Sequence, residues 1–174
     1  MNENYYLRNQ ENLAAKRWWR WFWAWWSIYS VVLVFLACLY VLAIGQWKVL
    51  VIALAAFFLA RVIISPLIYI LYKKARPYQL YNFKPFSSWF YSRLTDRQNA
   101  FPSDHSLSLS SISFVLFWFF PTLGITLFVI TFFNGWARVV VGYHDAFDVL
   151  GGWIIGIMSA VLMIYLLTPF LMGR

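Results

Sequence analysis

Charged and metal-ligating residues are scarce in this chain of 174 residues. Asp, Glu, Lys and Arg together make up 11% of the sequence, which holds two histidines and one cysteine. A single cysteine excludes an intramolecular disulfide, and the place of Cys38 in an apolar run is typical of a small buried residue. No acidic or Cys/His cluster has the spacing of metal ligands, so we expect neither a metal nor another cofactor.

Apolar and aromatic residues are abundant instead. Hydrophobic residues make up 63% of the chain and aromatic residues 22%, which is far from the balance of soluble proteins. The formal net charge is +8, but the basic residues flank apolar segments rather than forming a solvated face. This distribution predicts contact with anionic membrane lipids and argues against a nucleic-acid partner. It leaves the oligomeric state open.

Five apolar segments are long enough to predict transmembrane helices. They cover about residues 21–44, 49–72, 103–121, 125–141 and 144–171, and a span needs about 20 apolar residues. The fold class predicted is therefore all-α, a polytopic membrane helix bundle in one domain over residues 1–174. Residues 1–17 form a polar N-terminal tail or an interfacial helix, and residues 73–103 form a basic, aromatic-rich interfacial loop near the site.

One cation falls near the middle of a predicted span. Arg61 is costly at that depth, so we expect it to face the bundle interior or a polar pocket. It could bind a buried carbonyl or carboxylate, contact the substrate or extend to an interface. The following Ser65-Pro66 pair predicts a kink, with Ser65 helping to satisfy the freed backbone groups.

A polar constellation lies between the last two predicted spans. His144 and Asp148 are four residues apart, so on a helix they share a face. A carboxylate there can hold the Nδ1–H of the ring and leave Nε2 free to attack or to accept a proton. Arg138 supplies a planar fork of donors that matches phosphate oxygens. His105, in Pro102-Ser103-Asp104-His105, is the other histidine, and either histidine alone could be an interfacial side chain with a backbone partner.

Three motifs in order identify a resemblance. Arg76-Pro77, the Pro-Ser-Asp-His tetrad and the Arg-x5-His-x3-Asp spacing from Arg138 to Asp148 cover roughly residues 73–156. This pattern resembles the type 2 phosphatidic acid phosphatase family, which is related to vanadium haloperoxidases. Because Asp104 stands where Gly is frequent, the chain looks most like the undecaprenyl-diphosphatase branch.

The resemblance implies roles for individual residues. His144 would be the nucleophile that forms a phosphohistidine, Asp148 would orient it, and His105 would protonate the leaving oxygen and later activate water. Arg76, Ser103 and Arg138 would clamp the phosphoryl group. The family has a lysine where this chain has Tyr69. We hypothesise that Lys73 takes its phosphate-binding role, with Lys74 second, and we include Asp104 among the phosphate-site candidates.

Alternation of five spans places all three motifs at one membrane face, but the orientation of that face is contested. The motif face carries most of the basic residues, which normally lie in the cytoplasm. The resemblance implies a site that faces outward from a bacterial inner or plasma membrane, and we favour that orientation.

The function predicted is removal of a phosphate from a polyprenyl diphosphate, such as undecaprenyl diphosphate, by a metal-independent lipid phosphatase. Phosphatidate, phosphatidylglycerol phosphate and lipid A phosphates are alternative substrates. A catalytically silent transporter or peptide-resistance factor on the same scaffold is the alternative outside enzymes. A haloperoxidase would require bound vanadate and usually a larger soluble domain, neither of which the sequence suggests.

Overall fold

The computed structural model describes residues 3–83 and 99–173, and every regular element in these ranges is helical. The part of the predicted interfacial loop from residue 84 to residue 98 lies outside the described residues. The elements, in chain order, are α1 (Glu3–Ala15), α2 (Arg17–Ala43), α3 (Trp47–Phe58), a π-helical segment (Leu59–Ile64), α4 (Ser65–Leu71), α5 (Pro77–Leu80), α6 (Asp104–Phe119), α7 (Pro121–Val140) and α8 (Ala146–Met172).

Within the described residues, four helical stretches are long and apolar enough to cross a membrane. They are Trp21–Ala43, Trp47–Leu71, Pro121–Val140 and Ala146–Met172. Large apolar side chains such as Phe35, Leu54 and Met158 are exposed along them, as expected of surfaces that face lipid. The predicted fold class, an all-α membrane helix bundle, is confirmed, and the chain is an integral membrane protein.

The predicted third span differs from the other four. Helix α6 has 16 residues and spans about 24 Å, which is shorter than the hydrocarbon core of a typical bilayer. It packs against α3, α7 and α8 and lies in the interior of the bundle. About five spans were expected, whereas the described residues contain four helices of spanning length, and the predicted third span is a shorter, internal helix.

Small residues bring α6 and α8 into close contact. A Cβ atom at Gly152 would lie 2.7 Å from the carbonyl oxygen of Ser103, and one at Gly156 would lie 2.4 Å from that of Leu107. Ser106 and Ser110 on the facing side of α6 are fully buried. These small residues therefore serve packing within the chain, which fixes the start of α6 against the start of α8.

Buried amide and hydroxyl groups connect α7 to its neighbours. Asn134 donates from Nδ2 to Ser30 Oγ at 2.6 Å and to the Ser27 carbonyl at 3.2 Å, which joins α7 to α2. Ser113 and Thr131 share a hydrogen bond of 3.1 Å between α6 and α7. Such bonds stabilise helix pairs in a membrane, where water cannot compete for the polar groups.

The second span is irregular close to Ser65-Pro66, where the sequence predicted a kink, but the irregularity takes another form. The π-helical segment precedes Ser65, and Pro66 occupies the first turn of α4, where its missing N–H costs least. Ser65 was expected to satisfy freed backbone groups. Its hydroxyl instead donates to Asp104 Oδ1 at 2.8 Å, because a carboxylate is the stronger acceptor.

Replacing Gly156 by Ala is expected to lower the thermal midpoint of the detergent-solubilised protein. The added methyl group would press on the backbone of α6, at a cost of about 1–3 kcal/mol that exceeds the gain in helix propensity. Val161→Ile, which adds one methyl group on the exposed side of the same helix, is the matched control. Equal midpoints for the two variants would contradict the close α6–α8 contact.

Candidate active site

Two histidines and two arginines among the predicted site residues meet at one cavity, although they lie far apart in the sequence. Arg76 lies between α4 and α5, His105 in the first turn of α6, Arg138 in the last turn of α7, and His144 between α7 and α8. All four line a cavity of about 690 Å³. The ends of several helices thus bring two imidazoles and two guanidinium groups together, as the sequence predicted.

Backbone carbonyl groups hold both the main chain and the ring of His144. Its own N–H and that of Tyr143 donate to the Arg138 carbonyl at 3.3 Å and 3.0 Å, which closes the turn after α7. Its Nδ1 lies 2.9 Å from the Ala100 carbonyl oxygen. Because a carbonyl only accepts, this bond requires Nδ1 to carry the hydrogen, which leaves Nε2 with a free electron pair.

The orienting group of His144 therefore differs from the predicted one. Helix α8 begins at Ala146, so His144 precedes the helix and does not share a helical face with Asp148. Asp148 Oδ2 lies 3.7 Å from Nδ1, beyond hydrogen-bond length, while the Ala100 carbonyl takes the bond. Asp148 acts on the ring through its charge.

Asp148 is fully buried, and its charge is compensated locally. Lys74 Nζ lies 2.6 Å from Asp148 Oδ1 and 2.6 Å from Asp145 Oδ2. The backbone N–H of Asp145 donates to Asp148 Oδ2 at 3.0 Å, and that of Asp148 donates to Asp145 Oδ1 at 3.0 Å. This reciprocal pair caps the N-terminus of α8 and stabilises negative charge there.

Two of the three arginines that line the cavity are almost fully buried. Arg76 is 5% exposed and Arg138 is 1% exposed. Within residues 3–83 and 99–173, Arg76 Nε and Nη1 have no hydrogen-bond partner. Buried guanidinium donors need an acceptor, so this geometry fits an anionic group in the cavity. The Arg138 guanidinium lies over the Tyr143 ring, 4.9 Å from its centre, which fixes the plane of the fork.

Three of the predicted phosphate ligands do not line the cavity. Ser103 is buried, its hydroxyl accepts from Ser106 Oγ at 3.1 Å, and its backbone N–H donates to the Asp148 carbonyl at 2.9 Å. Lys73 is exposed, because the chain is extended after α4 and consecutive side chains there point to opposite sides. Lys74 points inward but binds the two carboxylates, so it positions Asp148 rather than contacting the cavity.

Asp104 does line the cavity, but with its charge already paired. Its Oδ2 lies 3.1 Å from Arg61 Nη2, and its Oδ1 accepts the hydroxyl of Ser65. A carboxylate repels phosphate unless a cation intervenes, so the structure gives Asp104 a role as the partner of Arg61. Of the alternatives considered for Arg61, the structure thus shows the first, in which Arg61 binds a carboxylate.

Residues that sequence reasoning did not single out complete the support of the site. Ala100 contributes only its carbonyl, for which a sequence carries no signal. Tyr6 of α1 is 1% exposed, and its hydroxyl lies 3.5 Å from the His144 carbonyl oxygen. Tyr69, noted only as a departure from the family lysine, donates to the Pro102 carbonyl at 3.1 Å, while Asn99 donates to the Tyr69 carbonyl. The aromatic pair Tyr5-Tyr6 in an otherwise polar tail was the available hint of a packed helix.

Metal ligands are sparse around this cavity. In the two described ranges, His, Cys, Asp and Glu side chains form no group of three that could hold a metal ion. Asp145 and Asp148, near His144, are both bound to Lys74, and Asp104, which precedes His105, pairs with Arg61.

Comparison with known proteins identifies the scaffold. The model of the PAP2 superfamily matches residues 47–171, which contain every polar residue of the cavity. The chain belongs to this superfamily. It is also 32% identical over 87 residues to the bacitracin transport permease protein BcrC of Bacillus licheniformis. That match covers 48% of this chain and 43% of the relative, so the chain spans less than half the length of the curated protein it matches. No solved structure matches the chain.

Membership indicates a reaction class for the cavity, because proteins of the PAP2 superfamily are phosphatases. The arrangement of His105, His144 and two arginines around one cavity is consistent with phosphoryl chemistry, because it offers an imidazole with a free Nε2 beside fixed cations.

The site predicts a pH-dependent contribution of His144 to stability. Burial, together with repulsion from Arg138 and Arg76, lowers the pKa of the ring to about 4, although Asp148 opposes the shift. The unfolded chain therefore binds a proton that the folded chain excludes between pH about 6.5 and about 4. As pH falls through this window, the free energy of unfolding of the wild type should fall by up to about 3 kcal/mol relative to that of His144→Asn. Thermal midpoints of the two proteins, measured as a function of pH, check this. Parallel curves of thermal midpoint against pH for the wild type and His144→Asn would contradict the lowered pKa of His144.

Lys74→Met is expected to reduce phosphate release at least about tenfold and to lower the thermal midpoint, because it leaves two carboxylates at the start of α8 without their cation. The pKa of Lys74 is raised: burial alone would lower it, but Asp145 and Asp148 outweigh that effect, so the ion pair persists at neutral pH. Lys73→Met, one residue away and exposed, tests the alternative lysine. A larger loss of activity for Lys73→Met would restore Lys73 as the phosphate ligand.

Proposed function

We propose that the protein hydrolyses a lipid diphosphate, with a polyprenyl diphosphate such as undecaprenyl diphosphate as substrate, through a phosphohistidine intermediate. The single observation that carries this proposal is the composition of the cavity. Its polar end holds six charged or imidazole side chains, and apart from Ser108 the rest of its lining is apolar and comes from α2, α3 and α6; the six are Arg61, Arg76, Asp104, His105, Arg138 and His144. A charged head beside a long apolar wall suits an amphiphile with a phosphate group.

The apolar wall favours a lipid over a soluble phosphate ester. It includes Phe35 and Leu39 of α2, Leu54 and Phe57 of α3, and Ile112 of α6. The exposed faces of α2 and α3 belong to predicted membrane spans, so a tail in this wall would continue into the surrounding lipid. Nonspecific apolar contacts of this kind accept many tails, so the diphosphate head carries the selectivity.

The first half of the reaction follows from the placement of the two imidazoles. Nε2 of His144 attacks the terminal phosphorus, and the bond between that phosphorus and the bridging oxygen breaks. His105 gives a proton to the bridging oxygen, which departs as the lipid monophosphate. Arg76 and Arg138 balance the negative charge that builds on the nonbridging oxygens. The Ala100 carbonyl holds the Nδ1–H, and the Asp148 charge stabilises the cationic ring of the phosphohistidine.

The second half restores the enzyme. His105, now neutral, takes a proton from a water molecule whose oxygen attacks the phosphorus on His144. The phosphorus–nitrogen bond breaks, inorganic phosphate leaves, and both imidazoles return to their starting states. No redox step or external base is needed. We propose that this cycle runs without a metal ion and at the outward face of a bacterial membrane, and both of these remain predictions.

A second candidate has one supporting observation. The relative named above is described as a bacitracin transport permease, and a transport or resistance function would need no chemistry at His144. The pairing of His144 with the Ala100 carbonyl, which prepares Nε2 as a nucleophile, favours the enzyme.

Phosphate release by the purified protein in detergent tests the proposal. We expect release in EDTA from undecaprenyl diphosphate at a rate exceeding that from phosphatidylglycerol phosphate, phosphatidate and a lipid A phosphate, and we expect none from His144→Ala. The loss should be at least about 10³-fold, as for other covalent nucleophiles. Faster release from a glycerolipid would overturn the substrate, inhibition by EDTA that added metal reverses would overturn metal independence, and silence on all substrates by folded protein would favour the transport candidate.

A further inference from the structure

A cation deep in the second span is the feature that the proposed cycle leaves unused. Arg61 lies in the π-helical segment Leu59–Ile64, within the span Trp47–Leu71. A charged side chain at such a position is costly, and intramembrane cations mark binding sites and ion pathways. Single-turn π-helical segments also recur at functional sites, where they redirect a side chain.

The surroundings of Arg61 leave part of its guanidinium available to the cavity. Its Nη2 lies 3.1 Å from Asp104 Oδ2, and the other oxygen of Asp104 accepts from Ser65. The ion pair therefore fixes the guanidinium through one of its nitrogens. The side chain retains 28% of its surface exposed, and it lines the same cavity as Arg76, Arg138 and His144. A guanidinium has five donors, so a fixed and partly exposed one can bind a second anion.

The position of Arg61 relative to His105 indicates which anion that is. Asp104, the partner of Arg61, directly precedes His105 in the first turn of α6. His105 serves the leaving side of the bond that breaks. The ion pair thus places Arg61 on the leaving side of the cavity, next to the apolar wall formed by residues such as Leu54 and Phe57. In a lipid diphosphate, the group between the scissile bond and the tail is a phosphate.

We propose that Arg61 binds the phosphate that stays on the lipid and so selects lipid diphosphates over lipid monophosphates. This inference rests on the proposed function and names the determinant of its head-group preference. Arg76 and Arg138 hold the phosphoryl group that is transferred, and Arg61 holds the one that leaves with the tail. A monophosphate substrate places no charge at Arg61, because its leaving group is an alcohol.

A purely structural role for Arg61 makes a different prediction. If Arg61 only compensates Asp104 and secures the π-helical segment, its loss would disturb His105 and lower the hydrolysis of every substrate by the same factor. If Arg61 instead binds the phosphate that stays on the lipid, its replacement should lower the hydrolysis of diphosphates only. The comparison therefore needs two substrates that share one tail.

Hydrolysis of farnesyl diphosphate and farnesyl monophosphate by Arg61→Gln provides that comparison. We expect kcat/KM for the diphosphate to fall about 10- to 100-fold, which is the loss of a charge-assisted contact, and kcat/KM for the monophosphate to change less than about threefold. Arg61→Lys should recover part of the diphosphate activity, because it retains the charge. Asp104→Asn, which removes the carboxylate and keeps the cation, should not reverse the preference for the diphosphate. An equal loss on both substrates overturns the proposal.

A binding measurement separates this inference from the proposed function. Thermal shifts with farnesyl methylene-diphosphonate and farnesyl phosphonate, which resist hydrolysis, report head-group recognition even if the wild type releases no phosphate. Preference of the wild type for the diphosphonate, lost in Arg61→Gln, supports the inference, and no preference or a preference retained in the variant contradicts it. Should Arg61→Gln fail to fold, the double variant Arg61→Gln/Asp104→Asn removes both charges and leaves no unpaired carboxylate.

Discussion

The site depends on one buried carboxylate, that of Asp148. It contacts Lys74 after the second span and the backbone of Asp145 at the start of α8, and it faces the ring of His144. The backbone carbonyl of Asp148 accepts a hydrogen bond from the backbone N–H of Ser103 at the start of α6. A fully buried negative charge is stable only with such compensation, so the fold must bring these segments to one point. The same requirement explains why Lys74 faces inward and cannot serve as a cavity ligand.

The packing of small residues makes that convergence possible. Gly152 and Gly156 allow α8 to lie against the backbone of α6, which places Ser103 within hydrogen-bond distance of Asp148. Helix association in a membrane gains little from the hydrophobic effect, so close backbone contact and interhelical hydrogen bonds provide the specificity. The polar end of the cavity is thus positioned by the close contact between α6 and α8, and the apolar wall is formed by residues of α2, α3 and α6.

Sequence predicted the class of fold and the residues that meet at the cavity, because hydrophobic length and motif spacing are local signals. The three motifs, with the alternation of spans, predicted that Arg76, His105, Arg138 and His144 lie at one membrane face. The orientation of His144 could not be predicted, since its partner is the Ala100 carbonyl and any residue supplies a carbonyl. The roles of Lys73 and Lys74 depend on which side of an extended segment each faces, and the Arg61–Asp104 pair joins residues 43 positions apart. Both are tertiary contacts that no periodicity encodes.

The covalent intermediate on His144 is the central claim, and acid-free quenching of a single turnover tests it most directly. Protein mixed with a lipid diphosphate carrying labelled terminal phosphate would be denatured in alkali within the first turnover, digested and sequenced by tandem mass spectrometry. The account predicts label on the peptide that contains His144, bound through nitrogen and therefore stable in alkali and labile in acid. Turnover with no labelled peptide, or label on His105, would contradict it.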